Sequence, residues 1–215
     1  MKKTVIFDLD GTLIHSIPEI TKYLNLTLKR FGYPLIDENR TLSIIGCGAR
    51  NLVKNALNCP VSEEKFEEIF KFYDQEYTKS DNSLTILFDG IEELLIELKK
   101  RGYLLAILTN KQQKTTEQIY QKLLSKFNFD AVLGDLKGVP MKPDKRSVER
   151  VFNALNVTAL DCYMVGDMQT DYLAGVNSGC TPVCVLWGYG NKDHLSSLGC
   201  ENFVNTPSEL LEFLK

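Results

Sequence analysis

Histidine is scarce in this 215-residue chain: His15 and His194 are the only two. The six cysteines, Cys47, Cys59, Cys162, Cys180, Cys184 and Cys200, never form a Cys-x-x-Cys pair. Cys180 and Cys184 flank Pro182, which disfavours a helix face shared by both. With so few zinc-type ligands at zinc-type spacing, reduced and mostly buried thiols are expected rather than a zinc site. No apolar run reaches the roughly 20 residues of a membrane span. The basic start, Met1-Lys2-Lys3, leads into an apolar stretch that breaks at Asp8, too short for a secretion-signal core. The formal net charge of -3 gives no basic footprint for nucleic acid or an anionic membrane surface. Internal repeats and low-complexity tracts are missing too. The expectation is a cytoplasmic protein, a monomer or weak homodimer, without nucleic-acid or membrane partners.

What is present is an ordinary globular composition, 44% hydrophobic and 25% charged, long enough to bury a sizeable core. The most informative stretch is Thr4-Val5-Ile6-Phe7-Asp8-Leu9-Asp10-Gly11-Thr12-Leu13. A β-branched run stops at two aspartates one residue apart, and a Gly-Thr turn follows. A buried strand thereby delivers carboxylates to its C-terminal end, where open α/β sheets bind ligands. Two anions in one small site repel, so they need a cation, a shared proton, or both.

The next segment changes period. Ser16-Ile17-Pro18-Glu19 reads as a capping box with proline in the first helical turn. Apolar residues recur at helical spacing from Ile20 to Phe31, and Gly32 with Pro34 end the helix. A second helical stretch follows Gly46-Cys47-Gly48, and Ser62-Glu63-Glu64-Lys65 opens a third. From Leu87 the chain alternates helices with buried-strand runs. A helix spans Ile91 to Lys100, a strand runs from Tyr103 to Leu108, and a helix covers about 114 to 126. A short strand follows near Ala131-Val132-Leu133, then a helix from Ser147 to Leu155. A strand over Cys162–Val165, a helix over Ala174–Ser178 and a fifth strand at Val183–Leu186 complete the pattern. The simplest architecture is α/β: a doubly wound parallel sheet, interrupted after its first strand by an all-helical insertion. The expected boundaries give a core of residues 1–14 and 82–215 and a helical domain of residues 15–81.

Polar residues follow three apolar runs: Asp8 and Asp10, Thr109 and Asn110, and Asp167 with Asp171. Lys142 sits in a proline-bounded loop after the third strand. A parallel sheet brings them all to one edge. One cation, two hydrogen-bonding side chains and four carboxylates suit a hard divalent cation, Mg²⁺ above all, together with a phosphoryl group.

These residues, in this order, resemble the four motifs of the haloacid dehalogenase (HAD) superfamily of phosphohydrolases. Asp8-Leu9-Asp10-Gly11-Thr12-Leu13 resembles the first motif and Thr109-Asn110 the second. Lys142-Pro143 resembles the third and Gly166-Asp167-Met168-Gln169-Thr170-Asp171 the fourth. The resemblance spans the whole chain and implies a HAD-like Rossmannoid core with an inserted helical cap. It implies that Asp8 is a nucleophile forming an aspartyl-phosphate, and that Asp10 is general acid and then general base. It further implies that Asp8, the Asp10 backbone carbonyl and Asp167 hold Mg²⁺, with Asp171 orienting Lys142 or a metal-bound water. Thr109, the Asn110 amide and Lys142 would hold the phosphoryl oxygens. Mg²⁺ and Lys142 would keep Asp8 ionised, while the neighbouring anion would raise the pKa of Asp10. Family members acting on carbon lack the second aspartate, so Asp10 points to phosphoryl transfer.

The cap segment Thr41 to Val53 resembles the glycine-containing specificity segment of phosphoglycolate phosphatases, as do Thr109-Asn110-Lys111 and Trp187-Gly188-Tyr189-Gly190. Gly46 and Gly48 precede a helix and leave backbone N–H groups for an anion. Arg50, in the first turn of that helix, is the candidate reader of a substrate carboxylate. Three positions depart from the family pattern. His15 stands where aspartate is frequent, Phe88-Asp89-Gly90 replaces Tyr-Pro-Gly, and Lys145 replaces a proline. The implied function is a Mg²⁺-dependent phosphomonoesterase for a small phosphorylated metabolite, phosphoglycolate first. The alternatives are a phosphomutase of the β-phosphoglucomutase type and a catalytically inactive binding protein on the same fold.

Overall fold

The computed structural model describes residues 3–214; Met1 and Lys2 of the basic start lie outside them. Strand β1, Thr4–Phe7, is buried along its whole length because parallel neighbours pair with it on both sides. A strand hydrogen-bonded at both edges and covered on both faces must be continuously apolar, as this one is. Its partners are β2, Leu104–Gln112, and β4, Cys162–Gly166. Beyond them lie β3, Ala131–Asp135, β5, Thr181–Val185, and β6, Phe203–Val204. The spatial order is β3-β2-β1-β4-β5-β6, all parallel. Sequence periodicity gives five strands. The sixth is two residues long, too short to show a period.

Side chains alternate strictly across β1. Val5 and Phe7 join Leu105, Ile107, Val165 and Val183 on one face, under Leu94, Leu95 and Leu98 of the helix Ile91–Lys100. Ile6 joins Ala106, Leu108 and Met164 on the other, under Val148 and Val151 of the helix Lys145–Leu155. The helix expected over 114 to 126 is Gln113–Ile119, continued by a wider π turn, Tyr120–Leu124, and a tight turn, Ser125–Phe127. The helix expected from Ala174 begins earlier, at Gln169. Among the described residues no helix is long and apolar enough to cross a membrane, and the six cysteines are free thiols, four of them buried.

The chain divides into two compact units, Met1–His15 with Leu87–Lys215, and Ser16–Ile86. The second contains the helices Ile17–Phe31, Glu38–Leu42, Gly48–Leu57 and Glu63–Thr78. Ile20, Leu24 and Leu28 pack with Leu52, Val53, Phe66, Ile69, Tyr73 and Tyr77 in its own core.

The capping box expected at Ser16 does not form: Ser16 makes no side-chain cap bond. Glu19 is fully buried and looks elsewhere. One carboxylate oxygen accepts from Ser80 Oγ at 2.7 Å and the other from the Leu84 N–H at 2.7 Å. A local motif loses here to a long-range one, because a buried carboxylate needs strong donors and the returning chain supplies them. The same bonds tie residues 80 to 84 to the helical unit, so the chain leaves that unit after Ile86, later than composition suggests.

Glu19→Ala should therefore destabilise the protein by about 2–4 kcal/mol, by removing two charge-assisted bonds and orphaning their donors. Glu19→Gln should cost less, since its amide oxygen still accepts. Urea denaturation measures both, and a Glu19→Ala loss below about 0.5 kcal/mol, the range of ordinary surface substitutions, would show that Glu19 does not hold this segment.

Candidate active site

A sheet of order 3-2-1-4-5-6 reverses direction between β1 and β4, and the crevice beyond the carboxyl ends of those two strands is where such folds bind ligands. Asp8 directly follows β1 and Asp167 directly follows β4. The Asp8 N–H donates to the Val165 carbonyl at 2.9 Å, which locks the two strand ends together. Oxygens of Asp8, Asp167 and Asp171 lie within 4.8 Å of one another, and all three residues are buried.

One ammonium offsets this charge directly. Lys142 Nζ donates to Asp8 Oδ1, Asp171 Oδ1 and the Leu108 carbonyl, each at 2.7 Å. An ammonium has three donors, so its donor set is filled. Its position comes from Asn110, whose Oδ1 accepts from the Lys142 N–H at 2.9 Å and whose Nδ2 donates to the Lys142 carbonyl at 3.0 Å. Motif reading assigns Asn110 through its backbone amide; the side chain's grip on the Lys142 backbone has no sequence signal.

Asp171, in the first turn of the helix Gln169–Ser178, uses its second oxygen to accept from the Met168 N–H at 2.9 Å. Both its oxygens are engaged. Asp167 accepts from Thr12 Oγ1 at 3.1 Å and from the Tyr189 N–H at 2.8 Å. Trp187 Nε1 donates to the Thr12 carbonyl at 3.0 Å. The segment Trp187-Gly188-Tyr189-Gly190 thus closes over Asp167. Gly11 and Gly188 permit that approach. A Cβ on either would collide with the Asp167 side chain, and Gly11 also has φ +87°, which favours glycine.

Burial raises the Asp8 carboxyl from 3.8 to about 7, against the opposing pull of Lys142 and with help from Asp171. Asp167 is raised well above its ordinary value, first by burial and then by Asp171 and Asp8. The Lys142 ammonium is raised despite burial because Asp171 and Asp8 stabilise its charge. Ionised together, the three acids would outnumber the one ammonium, and the raised Asp8 and Asp167 are the mark of that repulsion in a buried, all-oxygen setting.

Asp10 lies beside this cluster, paired with Lys111. Lys111 Nζ donates to both Asp10 oxygens at 3.1 Å, a partner that motif reading does not assign. Thr109 is buried, and its Oγ1 accepts from the Lys111 N–H at 3.2 Å. Asp8, Asp10, Thr109, Asn110, Lys142, Asp167 and Asp171 are therefore connected through this one unit. His15 belongs to it as well: its Nδ1 meets Tyr189 Oη at 3.2 Å, and its ring packs on Phe88 and Tyr189.

Arg50, Gly46 and Gly48 belong to the helical unit. Both glycines have positive φ, 107° and 81°, and Arg50 lies in the first turn of Gly48–Leu57. Its guanidinium forks onto Glu67, approaches Glu63 at 3.6 Å, and lies over the rings of Phe66 and Phe70 at 5.0 and 4.9 Å.

A family model described as haloacid dehalogenase-like hydrolase matches residues 5–185. A phosphoglycolate phosphatase of Vibrio parahaemolyticus is 30% identical over 218 residues, covering 98% of this chain and 95% of that protein. One from Colwellia psychrerythraea is 30% identical over 220 residues, covering 100% and 97%. Among solved structures, a predicted phosphoglycolate phosphatase from Haemophilus somnus superposes with a TM-score of 0.91 at 25% identity, covering 100% of this chain and 98% of that one. The chain belongs to the haloacid dehalogenase-like hydrolase family and is a phosphatase-type enzyme within it.

Proposed function

We propose that this enzyme is a Mg²⁺-dependent phosphomonoesterase that hydrolyses a small phosphorylated metabolite, phosphoglycolate first, through an aspartyl-phosphate on Asp8. The observation that carries the reading is the buried cluster of Asp8, Asp167 and Asp171 at the sheet's switch point, with Asp8 and Asp171 sharing the ammonium of Lys142. The names of the relatives support the substrate.

Buried oxygen donors whose joint ionisation one ammonium cannot offset fit a hard divalent cation. Asp8, the Asp10 backbone carbonyl and Asp167 would hold it. When bound, Mg²⁺ supplies charge neutralisation for the phosphoryl oxygens and keeps the neighbouring carboxylates ionised. Asp171 fits a supporting role, since Lys142 and the Met168 N–H already occupy its oxygens.

Lys142 fixes Asp8 Oδ1 and so aims the carboxylate. An Asp8 oxygen attacks phosphorus, the ester P–O bond breaks, and Asp10 gives its proton to the departing alkoxide. Asp10 then takes a proton from the water that attacks the phosphorus of the aspartyl-phosphate. The P–O bond to Asp8 breaks, inorganic phosphate leaves, and both carboxylates return to their starting states. Thr109 and Lys142 stand beside the phosphoryl position as donors; for Lys142 this means exchanging a protein acceptor for a phosphoryl oxygen. Arg50, Gly46 and Gly48 are proposed to bear on substrate selection from the helical unit.

Chelation should abolish hydrolysis and added Mg²⁺ restore it; full turnover in excess chelator would remove the metal from the reading. Asp8→Asn should lower kcat by about 10⁴-fold or more, and Asp10→Asn by about 10²–10⁴-fold. Near-normal rates in Asp8→Asn would overturn the nucleophile.

Stability should also depend on pH through Asp8. Without metal, folded Asp8 keeps its proton up to about 7, whereas the unfolded chain loses it near 3.8. Between those values the native state binds more protons, so its stability falls as pH rises. Asparagine does not titrate. In chelated protein, Asp8→Asn should therefore gain on wild type across about pH 4 to 7, by on the order of 2–4 kcal/mol. Urea denaturation at several pH values measures this, and a difference independent of pH would contradict it.

A further inference from the structure

Lys111 is a nearly buried charged residue beside the cluster to which the proposed reaction gives no task. It lies two residues beyond Thr109 in β2 and is tied to it through its own N–H at 3.2 Å. Its ammonium clasps Asp10 through both oxygens at 3.1 Å, with side chains 7% and 14% exposed. Lys142 donates to three protein acceptors. Arg50, in the other unit, is engaged by Glu67, Glu63 and two rings.

The clasp conflicts with the work proposed for Asp10. Asp10 has to reach first the ester oxygen and then the attacking water. A carboxylate held by both oxygens on one ammonium faces that ammonium instead. To act, Asp10 must turn away, and giving up a charge-assisted pair at a nearly buried ammonium is costly. An anionic group on the substrate removes the cost by taking Asp10's place, and Asp10, once off the ammonium, takes up a proton from solvent and carries it to the ester oxygen.

We propose that Lys111 is a specificity-determining residue that binds a carboxylate on the substrate, a few bonds from the ester oxygen, and in doing so releases Asp10 to the reacting atoms. The substrate class is the phosphate esters of short hydroxy acids. An ester without the second anion leaves Asp10 on Lys111 and turns over slowly, so selection acts on kcat as well as KM. This rests on the phosphomonoesterase reading above and adds how the site chooses among esters.

The test compares 2-phosphoglycolate with ethyl phosphate, in which a methyl group replaces the carboxylate. Wild type should favour phosphoglycolate. Lys111→Met should lower the ratio of the two kcat/KM values by about 10- to 100-fold, as expected for loss of one charge-assisted bond. The loss should appear in both kcat and KM, and Lys111→Arg should restore part of the ratio. Calorimetric titration of Asp8→Asn and Asp8→Asn/Lys111→Met gives a readout independent of turnover. There the ratio of the two dissociation constants should fall at least tenfold. Circular dichroism checks folding, and Lys111→Gln replaces the methionine variant if that one unfolds. Losses of equal factor on both esters would overturn the proposal, because Lys111 would then serve only to position Asp10. An unaltered ratio would overturn it as well. If wild type hydrolyses neither these esters nor p-nitrophenyl phosphate, the phosphomonoesterase reading fails. If it hydrolyses both esters with equal kcat/KM, the role of Lys111 fails alone.

Discussion

The constraint on which the rest of the site depends is the mutual repulsion of carboxylates brought together at the ends of β1 and β4. Lys142 offsets it, donating at 2.7 Å to both Asp8 and Asp171 with its side chain 2% exposed. Buried ion pairs seldom stabilise a fold relative to apolar packing, because desolvation consumes the Coulombic gain. This cluster is therefore poorly explained as a source of stability. Around it the fold supplies what a buried polar group requires. Asn110 fixes the Lys142 backbone on both sides, the Met168 N–H satisfies Asp171, and Thr12 with the Tyr189 N–H satisfies Asp167. Each donor is set by backbone geometry or by a short side chain with few rotamers, so the acids cannot relax apart.

The sheet order explains why these groups meet. The half containing β1, β2 and β3 contributes Asp8, Thr109 and Asn110, and after β3 the loop carrying Lys142. The half beginning at β4 contributes Asp167 and Asp171. Side chains that the sequence separates by 134 residues, Asp8 and Lys142, become neighbours because all six strands point the same way. Their carboxyl ends form one edge, and the order reverses beside β1.

Much of this was legible from residues alone, and what was legible has a common cause. A strand buried on both faces must be apolar throughout, so the position where its apolar run stops marks the sheet edge. Thr4–Phe7 before Asp8 and Cys162–Gly166 before Asp167 announce both their strands and their carboxylates. The local pattern failed where a polar side chain had a choice of partners. Glu19 satisfies the spacing of a capping box yet binds Ser80 and Leu84, because burial rewards the strongest donors rather than the nearest. Asn110 and Lys111 stand in a recognisable motif, but nothing in their spacing shows that one grips the Lys142 backbone and the other Asp10. The β6 strand was missed for a different reason: two residues carry no period.

The two lysines of the site differ in how replaceable their partners are. Lys142 bridges acceptors from three segments, two of them buried carboxylates, so yielding one acceptor to a phosphoryl oxygen still leaves it held by the others. Lys111 donates at 3.1 Å to both oxygens of a single carboxylate, Asp10, whose side chain is 14% exposed. One incoming anion can match that arrangement without disturbing the rest. The arrangement of partners therefore separates a fixed cation, which holds carboxylates from two segments in place, from one that clasps a single carboxylate, which in our proposal a substrate replaces. In the proposed reaction the fixed cation lies with the groups that act on phosphorus, and the exchangeable one is proposed to read the identity of the ester.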